Sequence, residues 1–142
     1  MEEYAPFYID YLYCFNTLRN FFDCHEYGEH LWLDTGRPEF LKGLIQVAVS
    51  LYHLENGNLR GSRIMWAKAS GYLEPYKPVH MGIHIGTIYE DMNRLHQLLP
   101  DADRVAAEDV QTWNLPDIYI QIVDDSLQGI LEHWTLSPLE DE

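Results

Sequence analysis

The segment over residues 38–55, PEFLKGLIQVAVSLYHLE, constrains the fold more than any other part of the chain. Phe40, Leu41, Leu44, Ile45, Val47, Ala48, Val49, Leu51, Tyr52 and Leu54 cover most of the circumference of a helix wound over it. A helix that is apolar nearly all round has to be surrounded, so this one is expected at the centre of a bundle. Pro38 suits a helix start, and Gly57 in Asn56-Gly57-Asn58 suits a left-handed helix end. Asn58 is then placed to cap a helix over about residues 59–73, with Gly61, Ser62, Met65, Trp66, Ala69 and Leu73 on one side. So short a turn makes these two helices antiparallel neighbours, and the small residues let their backbones come close.

The flanking sequence supplies the partners. Phe7, Tyr11, Cys14, Phe15 and Leu18 share one face of a first helix that is expected to end near Asn16, with Asp10 and Asn16 away from that face. Asn20 followed by Asp23 resembles a capping arrangement for a second helix running to about Leu33. Pro75, Pro78 and Gly82 break the pattern, and a fifth helix follows over about 85–99. Residues 101–112 form at best a short helix. Ile118, Ile120 and Ile122 alternate as a strand would; with no second strand in view, an extended segment lying on the bundle is expected, and a short terminal helix after it. The fold class is therefore all-α: residues 1–142 as a single-domain bundle of about five to six helices, with residues 113–142 as a C-terminal extension.

Charge narrows the function classes. The 9 basic and 23 acidic residues give a formal charge of −14, which a nucleic-acid backbone or an anionic membrane repels. Nucleic acid and membrane are not expected partners; another protein or a second copy is. No apolar run approaches the ~20 residues that span a bilayer. The start MEEYAPF is acidic and unlike a signal peptide, and Cys14 and Cys24 lack CxxC spacing and fall on apolar faces. A cytoplasmic location with free thiols is expected.

The segment DCHEYGEHLW holds the chemistry worth weighing. His25 and Glu29 are spaced i,i+4 and share a side with Phe21, Gly28 and Trp32. On the third helix Gln46 and His53 share a stripe with Lys42. If the two helices pack, His25, Glu29, Gln46 and His53 converge, with Asn16 and Trp32 nearby. Two readings follow. In the first, Asn16, His25, Glu29, Trp32, Gln46 and His53 form a buried structural network, because a buried carboxylate needs a partner. In the second, His25, Glu29 and His53 ligate a divalent metal, Zn or Fe, with Glu26 as base, and the bound water becomes a nucleophile. The spacing matches neither H-E-x-x-H nor H-x-x-E-H. No G-x-S-x-G, P-loop, Rossmann or CxxC pattern is present, so an enzyme is the second expectation and no cofactor is firmly implied. On either reading, Glu29→Ala is expected to cost about 2–4 kcal/mol, because His25 would lose a buried partner. His80 and His84 read as loop, His96 as a core histidine, and Arg60, Arg63 and Lys68 as a solvated face.

Phe15-Asn16, His25-Glu26, Glu29, Trp32, Gly43-Leu44-Ile45-Gln46, His53, Gly57-Asn58 and Gly61 together resemble the family called Domain of Unknown Function 309, over residues 15–61, with a weaker continuation expected through the fifth helix and none beyond about residue 113. That family is sometimes labelled a predicted metal-dependent hydrolase. The resemblance implies an all-helical domain and no demonstrated activity. Ser62 stands where the family usually has Ala, and His84 where it often has an acidic residue. The function is thus expected to be that of a non-catalytic helical domain acting through protein or self-association, with a metal-dependent hydrolase as the alternative.

Overall fold

The computed structural model describes residues 4–139; the N-terminal start read above and the end of the C-terminal extension lie partly outside them. The architecture is all-α. Helix α1 spans Pro6–Tyr13 and runs on as a π-helical turn over Cys14–Leu18. Helix α2 spans Phe21–Asp34, α3 Glu39–Glu55, α4 Leu59–Leu73, α5 Ile85–Gln97, α6 Ala107–Gln111 and α7 Asp125–Glu132. The first helix is thus longer than its expected end near Asn16. Its one-residue widening is stopped by Arg19, which adopts φ 56°, the left-handed conformation that breaks a right-handed helix.

The caps are where the sequence places them. Asn20 accepts from the Asp23 amide at 3.0 Å, and Asn58 from the Gly61 amide at 2.9 Å. Gly57 takes φ 80°, which closes α3 with little strain. As expected from its all-round apolarity, α3 sits between α2 and α4. The close approach to α4 comes from a different glycine than expected. A Cβ on Gly43 would lie 2.8 Å from Leu73 Cδ2, whereas a Cβ on Gly61 would meet only its own cap, Asn58.

Residues 79–84 depart from the expected loop. Val79–His80 and Ile83–His84 form a two-stranded antiparallel hairpin, β1 and β2, around Met81 and Gly82. Both turn residues have positive φ, as a tight hairpin turn requires. Strands of two residues are too short to show a period. The extended segment lies on the bundle as expected and continues the hairpin through an Ile83–Ile122 bridge. The Val123 amide donates to the Gly82 carbonyl at 2.8 Å, and Ile118 and Ile120 are buried. Among the described residues, no helix is long and apolar enough to cross a membrane.

Candidate functional site: the α2–α3 face

Two stripes on α2 satisfy the same helical period, and packing against α1 and α3 chooses between them. The inward stripe is Phe21, Cys24, Tyr27, Gly28 and Leu31. The stripe with His25, Glu29 and Trp32 borders it and is only partly covered. A Cβ on Gly28 would lie 2.8 Å from Ile45 Cγ1, so the backbone of α2 sits hard against α3 and leaves the neighbouring stripe at the edge of the contact.

His25 and Glu29 do meet, with Nε2 and Oε2 3.2 Å apart, and His25 Nδ1 faces Glu26 at 3.5 Å. The burial expected for this pair is corrected: the side chain of His25 is 27% exposed and that of Glu29 52%. Across the helix pair stand Lys42, Ile45, Gln46 and Val49, enclosing with His25, Glu29 and Trp32 a cavity of about 240 Å³. Two polar atoms are buried there without a hydrogen-bond partner, Trp32 Nε1, a donor, and Gln46 Oε1, an acceptor. Lys42 Nζ lies 5.2 Å from the Trp32 ring centre, and the Arg37 guanidinium 5.5 Å.

His25 and Val49 also line a neighbouring apolar pocket of about 170 Å³ with Phe21, Phe22, Tyr52 and His53. Phe22 and Tyr52 touch across the helices, ring centres 5.6 Å apart, and both are exposed. The two cavities therefore adjoin along one face, aromatic at one end and polar at the other.

Two members of the expected cluster make their hydrogen bonds elsewhere, although His53 also borders the apolar pocket. His53 Nδ1 is 3.3 Å from Asn58 Nδ2, which donates because Asn58 Oδ1 already accepts from Gly61. His53 thus braces the α3–α4 turn, and burial, with the charge of Arg104, moves its pKa below the usual histidine value. Asn16 clamps the extended segment: its Nδ2 donates to the Ile120 carbonyl at 2.8 Å and its Oδ1 accepts from the Ile120 amide at 2.9 Å. Among the described residues, no three His, Cys, Asp or Glu side chains are grouped so as to hold a metal ion. A site of His25, Glu29 and His53 is therefore not assembled here, and a metal at His25 and Glu29 would rely on other donors. His84 caps α5 by accepting from the Thr87 amide, and His80 packs edge-on to Phe40.

Asp10 and Ser50 are buried polar groups that the sequence does not mark, whereas His96 faces inward with its hydrogen bonds satisfied, as expected. Asp10, expected away from the apolar face, is fully buried. Its Oδ1 accepts from Trp134 Nε1 at 2.7 Å and the Ser137 amide at 3.0 Å. No periodicity in α1 signals this, because the cover comes from residues far along the chain. Ser50, Ser62 and His96 tie α3, α4 and α5 together. Ser50 donates to the Ser62 carbonyl at 2.8 Å, and Ser62 Oγ lies 3.0 Å from His96 Nε2. His96 Nδ1 is 2.9 Å from the Met92 carbonyl, which leaves Nε2 as acceptor. Desolvation lowers the pKa of His96. Ser62 has the hydroxyl–imidazole contact of a nucleophile and its base, yet it is fully buried, so the contact serves packing. The serine where the resemblance implies alanine thereby gains a structural role.

A central, largely apolar helix, two flanking helices and a partly open polar–aromatic face define a small all-α domain. Residues 8–65 match the family model described as Domain of unknown function (DUF309), the family the sequence resembles. The match starts earlier than the expected 15–61, taking in most of α1, and ends in the first half of α4, short of the weak continuation expected through the fifth helix. The chain is also 32% identical over 99 residues, 66% of its length, to the "Uncharacterized protein YpuF" of Bacillus subtilis (strain 168). It spans 57% of that relative's length. No solved structure matches. Neither the family description nor the relative's name carries an activity.

Proposed function

We propose that this is a non-catalytic binding domain that takes a protein segment on the α2–α3 face. The observation that carries the reading is the contiguity of two unlike cavities: an exposed Phe22–Tyr52 pair beside a recess in which Trp32 Nε1 and Gln46 Oε1 are buried without partners. Aromatic rings exposed next to unfilled donors and acceptors suit an apolar anchor followed by a main-chain amide, which donates to Gln46 and accepts from Trp32. Glu26 and Glu29 at the margin, on a chain of charge −14, favour a segment with basic residues. The buried free thiols Cys14 and Cys24 support a reducing compartment, and we place the domain in the cytoplasm.

The test is selection from a displayed peptide library on the wild type, counter-screened on a Phe22→Ser/Tyr52→Ser variant whose circular dichroism is unchanged. Enriched peptides should carry an apolar anchor and lose binding to the variant by about tenfold or more. Binding that is unaffected by both substitutions removes the reading. So does stoichiometric metal in protein purified without an affinity tag, if it is lost in a folded His25→Ala variant.

A further inference from the structure

A cavity larger than either of these lies beyond the α2–α3 recess, at the C-terminal end of α3. It is a cleft of about 580 Å³, within the range that holds small organic ligands. One wall is the C-terminal end of α3, with Leu51, Leu54 and Glu55; the other is the turn at Arg19 and the chain from Val110 to Tyr119. Two non-glycine residues in the left-handed region, Arg19 at φ 56° and Asn114 at φ 55°, both line it. Arg19 also follows directly on the π-helical turn. Backbone of these kinds gathers at binding sites, where surrounding structure holds it in place.

Arg19 is a fixed cation. Its Nη1 donates to the carbonyls of Phe15 at 2.9 Å and Ile118 at 2.7 Å, and the guanidinium lies 4.2 Å from the Tyr119 ring centre. Its Nη2 and Nε make no hydrogen bond to the described residues, which leaves part of the fork open. Glu55 lines the same cleft and is not in ion-pair contact with Arg19; burial raises its pKa, and the charge of Arg19 pulls it back down. Leu51, Leu54, Leu95 and Ile118 supply an apolar floor.

We propose that this cleft binds a small zwitterion with an apolar body, an apolar amino acid or a close analogue, with its carboxylate on the open side of Arg19, its ammonium toward Glu55 and its side chain on the leucine floor. A guanidinium whose plane is already held suits a carboxylate. A simple anion is opposed by Glu55, by Asp117 at the rim and by the charge of the whole chain; a simple amine is opposed by Arg19. A ligand with both charges meets both walls. This inference does not rest on the α2–α3 reading.

The test is an NMR titration of the full, 15N-labelled chain with L-phenylalanine, 3-phenylpropanoate and 2-phenylethylamine, each to about 10 mM, above a weak millimolar Kd. L-Phenylalanine should give saturable shifts at Arg19, Glu55, Gln111 and Asn114, and the two half-molecules should bind about tenfold more weakly. Glu55→Gln, at the exposed end of α3, should weaken L-phenylalanine by a similar factor and leave 3-phenylpropanoate no weaker. No saturable shift with L-phenylalanine, shifts confined to the α2–α3 face, or a Glu55→Gln variant that binds like wild type would each overturn the proposal.

Discussion

Glu29 and Asp10 show how differently two carboxylates are housed in one small bundle. Glu29 stands on the stripe that the helical wheel marks as apolar, and it is half in water. Its contact with His25 is a surface pair, which is worth roughly 0–1 kcal/mol, so Glu29→Ala should cost less than about 1 kcal/mol rather than the larger loss that burial would bring. Asp10, which the wheel places away from the apolar face, is the carboxylate that the fold encloses. Asp10→Ala strands the Trp134 indole and the Ser137 amide and should cost about 1–3 kcal/mol. Urea unfolding of both variants checks the order; a Glu29 variant less stable than the Asp10 variant contradicts it. The error in reading has one cause. A wheel gives the spacing of residues on one helix, and burial depends on where the neighbours lie.

At the scale of elements, the helix boundaries and caps were legible because they are set by groups within a few residues of each other. Asn20, Gly57 and Asn58 do locally what their side chains or lack of them allow. The α3–α4 contact was legible as a neighbour relation, while the residue that permits it was not. Gly43 is expected to tolerate a larger side chain poorly. In Gly43→Val the added Cβ would meet Leu73 at 2.8 Å and Tyr72 at 3.2 Å, and overpacking of this kind costs about 1–3 kcal/mol. Gly71, on α4 with open space at its Cβ, is the control: Gly71→Ala should stabilise by up to about 1 kcal/mol through helix propensity. Thermal unfolding followed by circular dichroism should move in opposite directions for the two. The two-residue strands of the hairpin and the π-helical turn left no periodic trace, since neither is long enough to have a period.

Across the whole molecule, burial of titratable groups sets a window of pH stability. His96 and His53 are both held toward the neutral form by desolvation. The unfolded chain takes up protons first, so their contribution is complete above the ordinary histidine value of about 6.5 and is lost as pH falls below it. On the alkaline side burial pushes the Cys14 thiol to about 12 and the Cys24 thiol still higher. The unfolded thiols ionise near 8.5, so stability should fall again above that. Urea midpoints from about pH 5 to about pH 10, which brackets these values, should describe a plateau with two shoulders. In His96→Gln the acid shoulder should flatten; an unchanged acid shoulder would mean that His96 is not held neutral.

The sequence alone determined the all-α class, the central place of α3, most of the helix ends and the pairing of His25 with Glu29, because each follows from periodicity or from contacts within a turn or two of helix. The tertiary structure decided which stripe of α2 turned inward, that Asp10 would be covered by Trp134 and Ser137, that Ser62 would meet His96, and that Arg19 would face Glu55 across a cleft. Those outcomes join residues on different elements, 34 positions apart at Ser62 and His96 and 124 at Asp10 and Trp134, and no local pattern encodes them.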